Sequence, residues 1–246
     1  MRQVREAVRL DSELQSGFTY VEERRDVRIS RLGKVAVGPL RTFQVFPSSR
    51  PGRTYKRLLA IDGRPLEPAE RERREREHQQ HLAEMDEREK HESAADRTRR
   101  WRKEQEEMAE REAILDDALA VFDARFESRD RIDGQAVYVI RLAQRKQAHV
   151  STREGRWMRG FEGRIWIAET DDQIVKLDLR ARQDVTIGWG ILGRVQEGSR
   201  FTFARRWFEG AWLPARVVFD ARGRTLLFRS FDIDLVTTYS DYRRIG

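Results

Sequence analysis

One discontinuity constrains this sequence more than any other feature. Short apolar runs of period two fill residues 19–61, stop between Pro65 and Pro68, and return from residue 131 onward. The stretch between them is built on different principles. In residues 69–112, 27 of 44 side chains are charged, 12 basic and 15 acidic. Strand-like flanks around a charged segment predict one β domain spanning residues 1–246, with residues 65–128 carried as an inserted helical hairpin.

The flanks read as strands because apolar side chains alternate with polar ones and turn residues punctuate them. Val21 and Val27 share one face of a first run, Leu32-Gly33 turns it, and residues 35–46 return with a break at Gly38-Pro39. Residues 55–61 end at Asp62-Gly63. After the insertion, runs at 136–142, 164–167, 174–179, 183–195, 201–208, 212–220 and 224–238 follow, with Asp133-Gly134, Glu209-Gly210 and Ala221-Arg222-Gly223 among the punctuation. Connections this short favour an antiparallel meander over parallel pairing. The fold class expected is mainly β with α: a curved antiparallel sheet or incomplete β-barrel of about ten strands. Val4, Ala7, Val8 and Leu14 fall at helical spacing before Gly17, which predicts a short N-terminal helix covering the sheet.

The insertion has two halves. Its first half is polar all round, with only Leu82 and Met85 to bury, and pairs such as Glu70–Arg74, Glu72–Arg76, Glu84–Arg88 and Asp86–Lys90 support an exposed helix. Its second half carries Trp101, Met108, Leu115 and Phe122 at intervals of seven, widened by Ile114, Ala118 and Leu119. A single helix of this length would reach about 90 Å. A hairpin turning near residues 93–96 is therefore expected, with the striped arm docked on the β body and all four heptad residues buried.

Outside residues 69–112 the chain carries 37 basic and 27 acidic residues, a net charge of +10. That excess suits an anionic neighbour, but the arginines are dispersed and no Lys/Arg-only run occurs. Nucleic-acid binding is expected to be nonspecific and salt-sensitive. The absence of cysteine excludes disulfides, thiolate metal sites and cysteine nucleophiles. No apolar stretch is long enough to span a bilayer. Met1-Arg2-Gln3-Val4 has no apolar signal core, so the chain is either cytosolic or a mature protein with its export signal removed.

Catalytic signals are sparse. His78 and His81 lie one helical turn apart, but no HExxH surrounds them and the segment is heavily charged. Neither a nucleophile elbow nor a phosphate loop is present, and Asp232 and Asp234 are ordinary strand-surface carboxylates. The expectation is a binding protein, not an enzyme, with no cofactor and no metal. Large aromatics instead concentrate on the C-terminal strands. Val185, Ile187 and Trp189 alternate beside Gly188 and Gly190, and Phe201, Phe203 and Trp207 follow on the next run. Glycine in a strand permits curvature or close approach. These six residues either belong to a closed core or line the concave apolar cavity of a curved sheet.

Particular motifs resemble the outer-membrane lipoprotein-sorting proteins, the LolA/LolB-like group. Glu162-Gly163-Arg164-Ile165-Trp166-Ile167-Ala168, followed by Ile174-Val175-Lys176-Leu177, is similar to that group's Gly-x-[Ile/Val]-Trp hairpin, with Ala168 where Asp is frequent. Gly210-Ala211-Trp212-Leu213-Pro214 is similar to its Gly-x-Trp-Leu-Pro turn, and residues 228–242, ending Tyr239-Ser240-Asp241-Tyr242, to its closing strand. The resemblance covers residues 130–243 well and 5–61 loosely. It implies an incomplete β-barrel with helices over its open side, an apolar cavity for acyl chains, and a periplasmic location after removal of a signal peptide. The function it implies is binding of lipid or lipoprotein acyl chains, as carrier or sensor. The alternative is a protein-interaction scaffold that meets an envelope partner through the inserted hairpin.

Overall fold

A computed structural model describes residues 16–30, 34–48, 50, 53–187, 193–224 and 230–245. The expected N-terminal helix lies outside them. In chain order the elements are β1 (Phe18–Ile29), β2 (Val35–Phe46), β3 (Tyr55–Ile61), β4 (Arg64–Pro65), α1 (Pro68–Lys90), α2 (Ala94–Val121), β5 (Phe122–Ile132) and β6 (Gln135–Gln144). There follow α3 (Arg153–Met158), β7 (Phe161–Ala168), β8 (Ile174–Ala181), β9 (Val185–Ile187), β10 (Gly193–Val195), β11 (Arg200–Phe208), β12 (Ala211–Arg224) and β13 (Ser230–Arg244).

Three two-residue turns set much of the connectivity. Asp62-Gly63, Asp133-Gly134 and Glu209-Gly210 each place both residues at positive φ, 49° and 73°, 48° and 78°, 45° and 83°. That is the type I′ turn, whose twist matches antiparallel strands and whose second position favours glycine. Every pairing is antiparallel, and the strands form one 13-stranded sheet in the order β4-β3-β2-β1-β13-β12-β11-β8-β7-β6-β5. β13 pairs with β1, so the last strand joins the two flanks of the insertion. The β9–β10 hairpin attaches where β12 runs on beyond β11. The path ends at β4 and β5, and the sheet is curved and open, not a closed barrel. Strands beyond the ten expected come from the short β4, from the β9–β10 division, and from β5.

β5 begins at Phe122, inside the segment assigned to the insertion. Phe122, Ala124 and Phe126 alternate with charged residues and pair across to β6, so helical spacing and strand spacing overlap at the junction.

In its central part the sheet is amphipathic. On one face Ile140, Ile165, Leu177, Phe203 and Val217 are successive neighbours across five strands, and Gly163, Leu179, Phe201, Phe219 and Leu235 form the adjoining row. The opposite face at the same level carries Arg141, Arg164, Asp178 and Thr202. Its charges are locally matched: Arg164 meets Glu127 at 2.5 Å and Arg200 meets Asp178 at 2.5 Å.

The helices pack on different parts of the sheet, α1 against β3 and α2 against β5 and α3. His78 of α1 stacks on Tyr55 with ring centroids 3.6 Å apart, and the Tyr55 hydroxyl donates to Glu75 at 2.9 Å. Arg53 ties the far end of α1 down through Asp86 at 2.5 Å and Glu89 at 3.1 Å. Asp86 thus serves the loop before β3, not the Lys90 pairing expected. The other three helical pairs form, at 2.7, 3.8 and 3.8 Å. The chain breaks between the helices where the Ser93 hydroxyl accepts from the Asp96 amide, a side-chain N-cap.

The stripe on α2 is only partly used. Val121 and Phe122 are buried and Ile114 and Leu115 half-buried, whereas Trp101 is 59% and Met108 45% exposed. The expectation that all four heptad residues would be buried is corrected. Among the described residues the packed part of the stripe is its C-terminal end, while Trp101 and Met108 on the earlier turns are exposed.

Candidate functional site

The apolar face of the sheet is covered from two sides. At one flank, Val121, Phe122, Leu142 and Ala148 form a buried cluster against which Met158 of α3 and Ile140, Ile165, Leu177 and Leu179 pack. At the other, Val195, Ala221 and Ile233 are buried with Val35, Phe219, Phe231 and Leu235 around them. Between these covers lie Phe201, Phe203 and Val217, all half-buried and in neither cluster. They form an apolar strip, and that strip is the candidate site.

A buried carboxylate fixes the first cover. The amides and hydroxyls of Ser151 and Thr152 all donate to Asp117 on α2, at 2.6–3.3 Å. Thr152 Oγ1 in turn accepts from the Gly155 amide and caps α3. Burial pushes the Asp117 carboxyl up, but these donors outweigh it and hold the group at about 2. Gly155 is required at this point, since a Cβ there would lie 2.3 Å from Asp117 Oδ2. Sequence reading missed this clamp. Asp117 sits among ordinary helix charges, and its partners follow 34 and 35 residues later.

Beyond Leu235 the same side of β13 continues through Thr237 to Tyr239, and Tyr239 faces Glu22 of β1. Glu22 is only 2% exposed. Lys56 donates to both its oxygens, at 3.0 and 2.7 Å, and Arg24 Nε lies 3.2 Å from it. Arg24 also lies over the Phe43 ring. Tyr20 stands at the junction, where burial and the neighbouring Glu22 push its hydroxyl up to about 12. The strip therefore runs toward a polar end whose carboxylate is fully engaged by two cations that remain about one-third exposed.

The six residues expected to line the cavity separate into groups. Phe201 and Phe203 lie on the strip. Val185 is buried against the end of α3, where a Cβ on Gly160 would come within 2.2 Å of Val185 Cγ2, so it belongs to the cover. Trp207 packs at 5.3 Å on Trp212, within the cluster of Val137, Val139, Trp166, Ala168 and Val175. Trp166 neighbours Lys176, and the latter neighbours Ala204, which places that cluster on the face away from Phe203. A register shift between Ala204 and Arg205 produces this change. The backbone of Ile187 is in β9, while Trp189 lies outside the described residues.

No group of three or more metal-ligating side chains occurs among the described residues. His78 is engaged by Tyr55, and burial lowers its basicity. Two open clefts lie elsewhere, one of about 870 Å³ between the helix ends near Met85, Glu92 and Arg100, and one of about 540 Å³ beside Ile61 and Leu66. No helix of the described residues is long and apolar enough to cross a membrane.

Solved structures align over nearly the whole chain at low identity. A LolA superfamily protein from Nitrosomonas europaea aligns over 99% of this chain and 94% of its own, with 9% identity and a TM-score of 0.28. A DUF1329 family protein from Desulfovibrio piger aligns over 99% and 92%, at 11% identity and TM-score 0.31. MucB, in its complex with MucA(peri), aligns over 98% and 92%, at 12% identity and TM-score 0.26. At these TM-scores the likeness says nothing about ligand, location or activity. No protein-family model and no curated protein matches the sequence.

Proposed function

We propose that the chain is a binding protein of the bacterial envelope that holds a long apolar ligand, an acyl chain of a lipid or lipoprotein, along the strip of Phe201, Phe203 and Val217. The observation that carries this reading is the half-covered apolar face: two buried clusters flank the strip and leave large apolar side chains between them in contact with solvent. A contiguous apolar surface of this kind costs free energy until something covers it. An acyl chain suits an apolar strip, since each buried methylene contributes about 0.8 kcal/mol. Arg24 and Lys56, oriented by Glu22, lie at the polar end and suit an anionic head group. The role that goes with this reading is carriage or sensing, and the location that goes with it is the periplasm.

Native mass spectrometry of freshly purified protein tests this reading. Adducts in the mass range of lipids, lost on delipidation and regained on adding a long-chain fatty acid, are expected. A clean apoprotein mass that takes up no fatty acid would leave the strip as an ordinary exposed surface.

A further inference from the structure

Helix α2 presents a surface that no other part of the described chain covers. Trp101 and Met108 sit two turns apart on one side of it, 59% and 45% exposed, and Leu115 continues the line where the helix docks. Glu104 and Arg111 flank the line on one side, each one turn beyond an apolar residue. Glu104 also acts on Arg100 one turn before it, whose guanidinium is itself held by Glu92 at 2.8 Å.

We propose that this stripe is the docking surface for a second copy of the chain, with the two α2 helices antiparallel about a two-fold axis at Met108. The charges select both partner and direction. In the antiparallel arrangement Trp101 meets Leu115 of the second copy, Met108 meets its counterpart, and Glu104 meets Arg111 of the second copy. The symmetry makes the last contact twice. A parallel pairing in register would carry the Glu104 and Arg111 of the second copy to the opposite side of the seam, where neither pair could form. Methionine at the axis suits the arrangement, because its flexible thioether packs against itself without demanding one geometry. The contact is one helix face, small beside the roughly 1,200 Å² of a stable interface, so the dimer is weak and concentration-dependent. It is independent of ligand binding on the sheet, on which Trp101 and Met108 have no part.

Sedimentation velocity of the full chain over a wide concentration range tests the proposal. A monomer–dimer equilibrium is expected, and Trp101→Ala or Met108→Asp should abolish it while the thermal midpoint stays unchanged, because both side chains are exposed. Glu104→Arg and Arg111→Glu should each weaken dimerisation about tenfold or more. The double variant should restore it, and a mixture of the two single variants should form a heterodimer. A monomer at every concentration overturns the proposal. So does a dimer indifferent to Trp101 and Met108, and a double variant that fails to recover overturns the antiparallel register.

Discussion

The two ends of helix α2 carry the same heptad stripe and have opposite fates. At the C-terminal end, Val121 and Phe122 pack into the cover over the sheet, and Asp117 is held by Ser151 and Thr152. At the N-terminal end, Trp101 and Met108 meet solvent on a segment whose other positions are almost all charged. An apolar stripe records what a helix is able to pack, while the length of the body beneath it decides how much is packed. The buried end belongs to the stability of the fold. The exposed end belongs to association.

Substitutions along the helix should separate its two ends by their cost in stability. Phe122→Ala should produce the largest loss, about 3–5 kcal/mol in urea unfolding, since it opens a cavity beneath the cover. Asp117→Asn should follow, and its effect should depend on pH in a known direction. The folded-state value of about 2 lies below the ordinary carboxylate value. The stabilisation is therefore fully present above about pH 4 and is lost as pH falls from about 4 toward about 2. Wild type and Asp117→Asn should converge in stability across that window, and a constant gap down to pH 2 would show that the clamp does not depend on charge. Leu115→Ala, half-buried, should cost about 1–2 kcal/mol. Trp101→Ala should change stability by less than about 0.5 kcal/mol, and a cost comparable to that of Phe122→Ala would show that the arm is packed after all.

Much of the sheet was legible because its signals are local. Asp62-Gly63, Asp133-Gly134 and Glu209-Gly210 declare their turns through the conformations that glycine permits, and strand alternation between them follows from the pleat. The features that define the site were not local. The bulge after Ala204 puts Trp207 on the far face, although simple alternation groups it with Phe201 and Phe203, and a register shift of this kind bends and twists the strand locally with no turn residue to announce it. Glu22 reads as one more charged residue on a polar strand, and only the tertiary fold buries it beside Lys56. The start of β5 at Phe122 was hidden because that residue satisfies both a heptad and a strand pattern.

On the proposed reading one face of the sheet binds an acyl chain and the other does not, a difference that titration with an environment-sensitive fatty-acid probe measures. Phe203→Asp should abolish probe binding, while Trp207→Phe, altering the opposite face of the same strand, should leave the affinity within about twofold of wild type, a change of less than roughly 0.5 kcal/mol. Equal binding by wild type and Phe203→Asp, or loss only with Trp207→Phe, would contradict it.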